Sequence, residues 1–191
     1  NEKLPKIIEE FIRKIEDTKE YGNVYVITEF LKLNPHVRIN VHKKRPDGKY
    51  TQTPNVYNDN SKIEKDIHIK YVNYSGGQNE PCSTDCNHYI LLKPEPNDLF
   101  TEIQTVADGG CMFDALAQGF ASNFINYDDD DKGQRQDSIR DLRKEIADSL
   151  RNTYKNDSEE RKTFETALIM EKTDQIQSQI DVLQSQIKSK K

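Results

Sequence analysis

Tryptophan is absent from this chain, methionine occurs twice and cysteine three times in 191 residues. Three cysteines, an odd number in so long a chain, do not read as a disulfide framework. They fit a reducing compartment with a free thiol, and the length is enough to bury a core without covalent staples. Positive charge is also short, since 28 Lys and Arg against 33 Asp and Glu leave a net charge of −5. Generic nucleic-acid binding neutralises phosphates, so this balance argues against it and favours a partner with a basic surface or tail. No apolar run approaches a bilayer span, and no signal-peptide pattern opens the chain. The first residue is Asn rather than Met, and the sequence is expected to be a piece of a longer protein. Apolar residues make up 34% and charged residues 32%, which approaches the composition of disordered chains. Periodic apolar segments argue against disorder.

Residues 4–20 place Ile7, Ile8, Phe11, Ile12 and Ile15 on one helical face, with charges on the other. Gly22 breaks this helix. "VYVITEFLKLN" spaces Val24, Ile27 and Leu31 for a second helix, which Asn34-Pro35 stops. "HVRINVH" and "DIHIKY" alternate as strands, "RPDGKY" is a turn, and residues 50–62 read as a strand followed by a loop. "HYILLK" is a short central strand and "PEPND" a linker. "DSIRDLRKEIADSLRN" is amphipathic through Ile139, Leu142, Ile146 and Leu150, with Asp137 as the expected N-cap. Ser158 is expected to cap the next helix, over 158–170. The tail spaces Ile176, Ile180, Leu183 and Ile187 by four, three and four, a heptad-like stripe. Helices, then strands, then helices point to an α+β fold.

"DGGCMFDAL", residues 108–116, carries the chemistry. Cys111 stands where an apolar helix begins. Unpaired N–H groups and the partial positive charge of a helix start lower a thiol pKa. Gly109 and Gly110 let the loop backbone approach a substrate, and the N–H groups of Asp108, Gly109, Gly110 and Cys111 could hold the oxyanion of an acyl-transfer intermediate. A base is still needed. His36 follows a helix-stopping proline and is expected in solvent. His42 lies in the basic run "HKKR" and is expected exposed. His68 faces away from the side of Ile67 and Ile69. His88 opens an apolar strand directly after a loop, a common place for a catalytic side chain, and is favoured. Blander readings stand beside these. A cysteine entering an apolar helix is commonly a small buried hydrophobe, and a histidine before "YILL" is commonly structural. Cys82, Cys86 and His88 also have the spacing of a zinc loop, with Cys111 as a distant fourth ligand, but no second tight ligand pair exists.

"VADGGCMFDALAQGF" resembles the cysteine-loop signature of the ovarian-tumour (OTU) deubiquitinases: Asp-Gly-x-Cys, an apolar residue, Phe, x, Ala. Here these are Asp108, Gly109, Cys111, Met112, Phe113 and Ala115. "IHIKY" with "NHYILL" resembles the paired closing strands, the second of which carries the catalytic histidine in a His-Tyr context, here His88-Tyr89. "DSIRDLRKEIADSLRNTY" and "FETAL" look like the helices after the cysteine helix. "EYGNVYVITEFLKLN" and "HVRINVH" look like a later helix and strand. The order differs from the family's, because His88 precedes Cys111. The chain reads as a circular permutant, with the usual ends joined through about residues 93–101 and new ends opened between the 158–170 helix and Gly22. The organisation implied is an N-terminal amphipathic helix over 1–20, a permuted OTU-like domain over 21–170 with a small sheet between helices, and a C-terminal helix over 171–191.

The resemblance implies a thiol isopeptidase without cofactor or metal that cleaves at the C-terminal glycine of ubiquitin or polyubiquitin. Cys111 would be the nucleophile and His88 the general base. Asp108 would shape the loop. The family's orienting Asp or Asn, two residues after the histidine, is here Ile90, which cannot orient an imidazole. Asn87 is taken first as the third residue, with Asp85, Asn97, Asp98 and Glu102 open, and a dyad without a strong third member, its imidazole less well oriented, as the alternative. The acidic run Asp128–Asp131 would attract a basic ubiquitin tail, although such a run is ordinarily a solvated loop. The terminal helices, at the new ends of a permuted domain, should lie close together. Expected partners exclude nucleic acid and membrane, and the unit is expected to be a monomeric catalytic domain. Its expected compartment is a reducing cytosol, by family analogy that of a host cell entered by a bacterial effector. The alternatives are a catalytically inactive ubiquitin-binding module and a zinc-stabilised interaction domain.

Overall fold

A computed structural model of the chain describes residues 4–17, 24–58, 62–73, 87–97, 99–106, 109–126 and 132–189. The elements are α1 (Lys6–Glu16), α2 (Val24–Leu33), β1 (Val37–Lys44), β2 (Tyr50–Tyr57), β3 (Lys65–Asn73), β4 (Asn87–Glu95), β5 (Leu99–Ile103), α3 (Cys111–Ala121), α4 (Lys132–Asn156) and α5 (Ser158–Ser189). Helices flank a block of strands, so the fold is mixed α and β around one curled five-stranded sheet. The chain divides into two compact units, residues 15–147 and residues 1–14 with 148–191.

The 15–147 unit holds the sheet, in the order β2-β1-β3-β4-β5. β1 and β3 are parallel and the other pairs antiparallel. Register sets Ile39 beside Ile67, then Ile69 beside Leu91, then Leu91 beside Ile103. Side chains alternate along a strand, so these residues share one apolar face. That face carries α3. A Cβ built on Gly119 would lie 2.6 Å from Ile67 Cγ2 and 3.2 Å from Leu91 Cδ1, a closeness only glycine allows. Met112, Phe113 and Leu116 of α3 are fully buried, as are Ile139 and Ile146 of α4 within 1%. In α2 the buried apolar residues are Val26, Ile27 and Phe30, and Phe30 meets Phe120 edge-on at 6.0 Å. The other face carries Asn40, His42, His68, Lys70 and Glu102 among the apolar Ile90, Leu92 and Phe100.

Three local expectations are corrected. The linker read at "PEPND" is a hairpin: β4 runs on through Pro94 and Glu95, Asn97 turns with φ 63°, and β5 returns antiparallel. α4 begins at Lys132, five residues before the expected cap, so Asp137 lies inside the helix and pairs with Arg140 at 2.8 Å. The first turn of α5 is capped by Asp157, one residue before Ser158. Its Oδ1 accepts the N–H groups of Glu159 and Glu160 at 3.0 and 2.9 Å.

In the unit of residues 1–14 and 148–191, α5 is one helix of 32 residues, so the boundary expected at 170 falls inside it. α1 meets the first part of α5, and of the segment expected as a separate C-terminal helix it is Lys172 that reaches it. Phe11 packs edge-on against Phe164 at 5.1 Å, Phe164 stacks on Tyr154 at 4.5 Å, and Lys172 reaches Glu10 at 3.3 Å. Arg151 of α4 adds an ion pair to Glu9 at 3.2 Å. Beyond Lys172 the stripe Ile176, Ile180, Leu183 and Ile187 is exposed. Among the described residues no helix is long and apolar enough to cross a membrane.

Candidate active site

α3 starts at Cys111. Gly109 takes φ 90°, which glycine adopts without a Cβ penalty, and Gly110 stands at the N-cap with no side-chain bond. No capping side chain therefore covers the first turn, and Cys111 Sγ sits there. The sulfur accepts the N–H of Tyr89 at 3.4 Å. Tyr89 N is bonded to the carbonyl carbon of His88, so the fold brings Cys111 directly against the strand that carries His88. His88 is half-buried, with Nε2 3.4 Å from Thr105 Oγ1, and Thr105 Oγ1 donates to the carbonyl of Tyr89 at 2.5 Å.

The electrostatics differ from expectation. Cys111 is 1% exposed, and burial pushes its thiol up from the ordinary value. The Tyr89 N–H and the helix-start N–H groups pull the other way without reversing it, and the Asp114 carboxylate adds to the rise. The lowered thiol pKa expected of a helix start is thus overturned, because desolvation of a thiolate outweighs what the N–H groups return. His88 is held down, by burial first and then by Lys70, with Asp114 opposing. Both shifts favour the uncharged forms, thiol and imidazole.

The other candidates separate. Asn87 lies in β4 opposite Asn73, and its side chain is outside the described residues. Asp108, Asp85, Asp98, Cys82, Cys86 and the run Asp128–Asp131 are also outside them. Ile90 is buried. Asn97 turns the hairpin at the far end of β4 from His88. Glu102 lies across from Leu92, four residues along β4 from His88. It is bound there by Tyr50, by Lys44 at 2.9 Å and by Lys70 at 3.0 Å. His42, expected in solvent, is 6% exposed. Its Nε2 lies 2.9 Å from His68 Nδ1 and its ring 4.7 Å from that of Phe100. A register shift between Asn40 and His42 marks where β1 brings it in. His36 is half-buried, its ring 6.2 Å from that of Phe120.

Two buried arginines that sequence reasoning passed over hold the cysteine loop. Arg135 binds Asp114 at 2.5 and 3.2 Å and also reaches the carbonyls of Gln104 and Ile125. Asp114 Oδ2 accepts the Val106 N–H at 3.0 Å, and Oδ1 accepts from Gln118 at 3.1 Å. Arg143, 1% exposed, donates to the carbonyls of Gly109 at 3.1 Å and Ile15 at 2.8 Å, and lies 4.0 Å over the Phe113 ring. α4 therefore ties the chain before the cysteine at Gln104 and Gly109, and the chain after α3 at Ile125.

The fold and site define an α+β protein with a buried thiol at a helix N-terminus, set against a histidine-bearing strand. No family model, curated protein or solved structure matches the chain.

Proposed function

We propose that the chain is a cysteine isopeptidase of the OTU type, circularly permuted, that hydrolyses bonds to the C-terminal glycine of ubiquitin. The observation that carries the reading is the 3.4 Å contact of Cys111 Sγ with the Tyr89 N–H, which sets a helix-start thiol against the backbone of the residue that follows His88. The connection favours it too: β5 and a short loop lead from β4 to α3, the link a permuted order needs. In this mechanism His88 takes the Cys111 proton as sulfur attacks the glycine carbonyl. The carbonyl electrons move to oxygen, which the N–H groups of the Asp108–Cys111 loop receive. The imidazolium then protonates the departing lysine amine, and water releases the acyl group. A free thiol of this kind needs a reducing compartment.

The test is ubiquitin bearing a C-terminal electrophile. A covalent adduct on Cys111, absent in Cys111→Ala, is expected; an unmodified native protein would overturn the isopeptidase reading. Burial of the thiol favours one rival, a ubiquitin-binding module without turnover. Saturable ubiquitin binding with no adduct would select it.

A further inference from the structure

Thr105 lies two residues past the last β4–β5 pair, Leu91 with Ile103, and is 4% exposed. Its hydroxyl faces two partners, the Tyr89 carbonyl oxygen at 2.5 Å and His88 Nε2 at 3.4 Å. A hydroxyl has one hydrogen to give, and a carbonyl oxygen has none. The contact with Tyr89 therefore uses the hydroxyl hydrogen. What Oγ1 offers His88 is a lone pair, and only an Nε2 that carries hydrogen completes that contact. In a neutral imidazole, hydrogen on one nitrogen leaves the other as the base.

The geometry points to Thr105 as the positioning residue of this site. Its hydroxyl, held by the Tyr89 carbonyl, keeps His88 in the Nε2–H tautomer and leaves Nδ1 as the atom that takes the Cys111 proton. The inference deepens the isopeptidase reading and rests on it for the role of His88. The peptide groups of Tyr89 join both halves, with N–H on the cysteine sulfur and C=O on the threonine hydroxyl. Thiol and hydroxyl are thus registered against one strand residue. Ile90, where the OTU pattern has Asp or Asn, is apolar and buried, so the orienting contact comes from the chain after β5 instead. A hydroxyl supplies direction without charge. It therefore leaves the imidazole neutral, the form that accepts a proton. The charged groups acting on His88 are Lys70 of β3 and Asp114 of α3.

The test needs no turnover. In the full chain with 15N-labelled histidine, two-bond 1H–15N correlations identify the His88 tautomer in the neutral range. The wild type should show the Nε2–H form. Thr105→Ser should keep it, and Thr105→Val should admit the Nδ1–H form. An Nδ1–H wild type, or a Thr105→Val spectrum identical to wild type, overturns the assignment. On ubiquitin cleavage, Thr105→Val should lower kcat by about 10- to 100-fold with KM little changed, as for other partners that orient a histidine, and Thr105→Ser should restore it. An equal loss in Thr105→Ser would overturn the hydroxyl's role. A protein inert to the ubiquitin electrophile fails the isopeptidase reading alone, because the tautomer is read independently.

Discussion

A thiol at the first position of a helix is ordinarily more acidic than a free one, and Cys111 goes the other way. The sulfur has the N–H partner and the helix start, but it has almost no water, and Asp114 lies one turn along the same helix. Proton loss to solvent is therefore unfavourable, and the proton is best removed by a base already in the site. A small alkylating agent such as iodoacetamide reads this directly. The alkylation rate of Cys111 should keep rising with pH through and beyond the ordinary thiol range, and a plateau reached near neutrality would contradict it. The second residue-scale expectation concerns Asp114 and Arg135, both nearly fully buried. Replacing Arg135 by Met leaves a buried carboxylate with neutral partners only, and should lower unfolding stability in urea by about 3–5 kcal/mol. Adding Asp114→Asn should recover part of that loss; two fully additive losses would show the pair uncoupled. These arginines were legible after all. Arg135 and Arg143 lie four residues before and after Ile139, on the apolar face of α4 that the helical spacing defines. A charge on an apolar face signals a buried partner. The sequence does not say which partner, because Asp114 and the Gly109 carbonyl are distant in the chain.

Elements formed where apolar periodicity was clean and were missed where a local signal misled. β1, β3 and β4 follow the alternation of Val37, Ile39 and Val41, of Ile67 and Ile69, and of the "YILL" run. Pro94 disguised the end of β4, because proline reads as a strand breaker. It is tolerated because the β3 pairing stops at Leu92 and the last residues of β4 face β5 alone. Asp137 signalled a helix start that the structure places at Lys132. The extra turn carries Arg135 to Asp114, and that tertiary contact overrides the capping signal. The seating of α3 on the sheet rests on Gly119, which resembles an ordinary weak helix residue in sequence. Gly119→Ala should destabilise the protein by about 1–3 kcal/mol in urea unfolding, since its methyl group must displace Ile67. A gain in stability, as the helix propensity of alanine alone would give, would show that the sheet yields. At the other end, the heptad-like stripe of α5 forms a helix as the spacing indicates, but its apolar residues stay exposed. Leu183, 58% exposed, has little to lose on truncation. Leu183→Ala should change stability by no more than about 0.5 kcal/mol.

At the scale of the molecule, acid sensitivity follows from histidines that the fold keeps neutral. Burial first, then the neighbouring His68, takes His42 from 6.5 down to about 4. Its Nε2 is engaged with His68, and Nδ1 has no hydrogen-bond partner, so a proton added there finds no acceptor among the described residues. His68 is also lowered, by burial above all, and His88 likewise. In the unfolded chain these rings titrate near the ordinary value. Between that value and the folded one, the unfolded state binds more protons, so unfolding stability rises with pH across the window. The stabilisation is fully present above about pH 6.5 and is lost as pH falls toward about 4. Glu102 acts in a lower window. Burial raises its pKa, but hydrogen bonds from Tyr50, Lys44 and Lys70 outweigh it and hold the carboxyl at about 2. Its contribution is therefore lost only in stronger acid, as pH falls from the usual carboxylate range toward about 2. The urea midpoint should thus decline from pH 7 to pH 4.5, while those bonds to Glu102 persist. In His42→Gln the decline should be shallower, whatever the variant's stability at pH 7. A slope unchanged from the wild type would place the acid sensitivity elsewhere than on this buried ring.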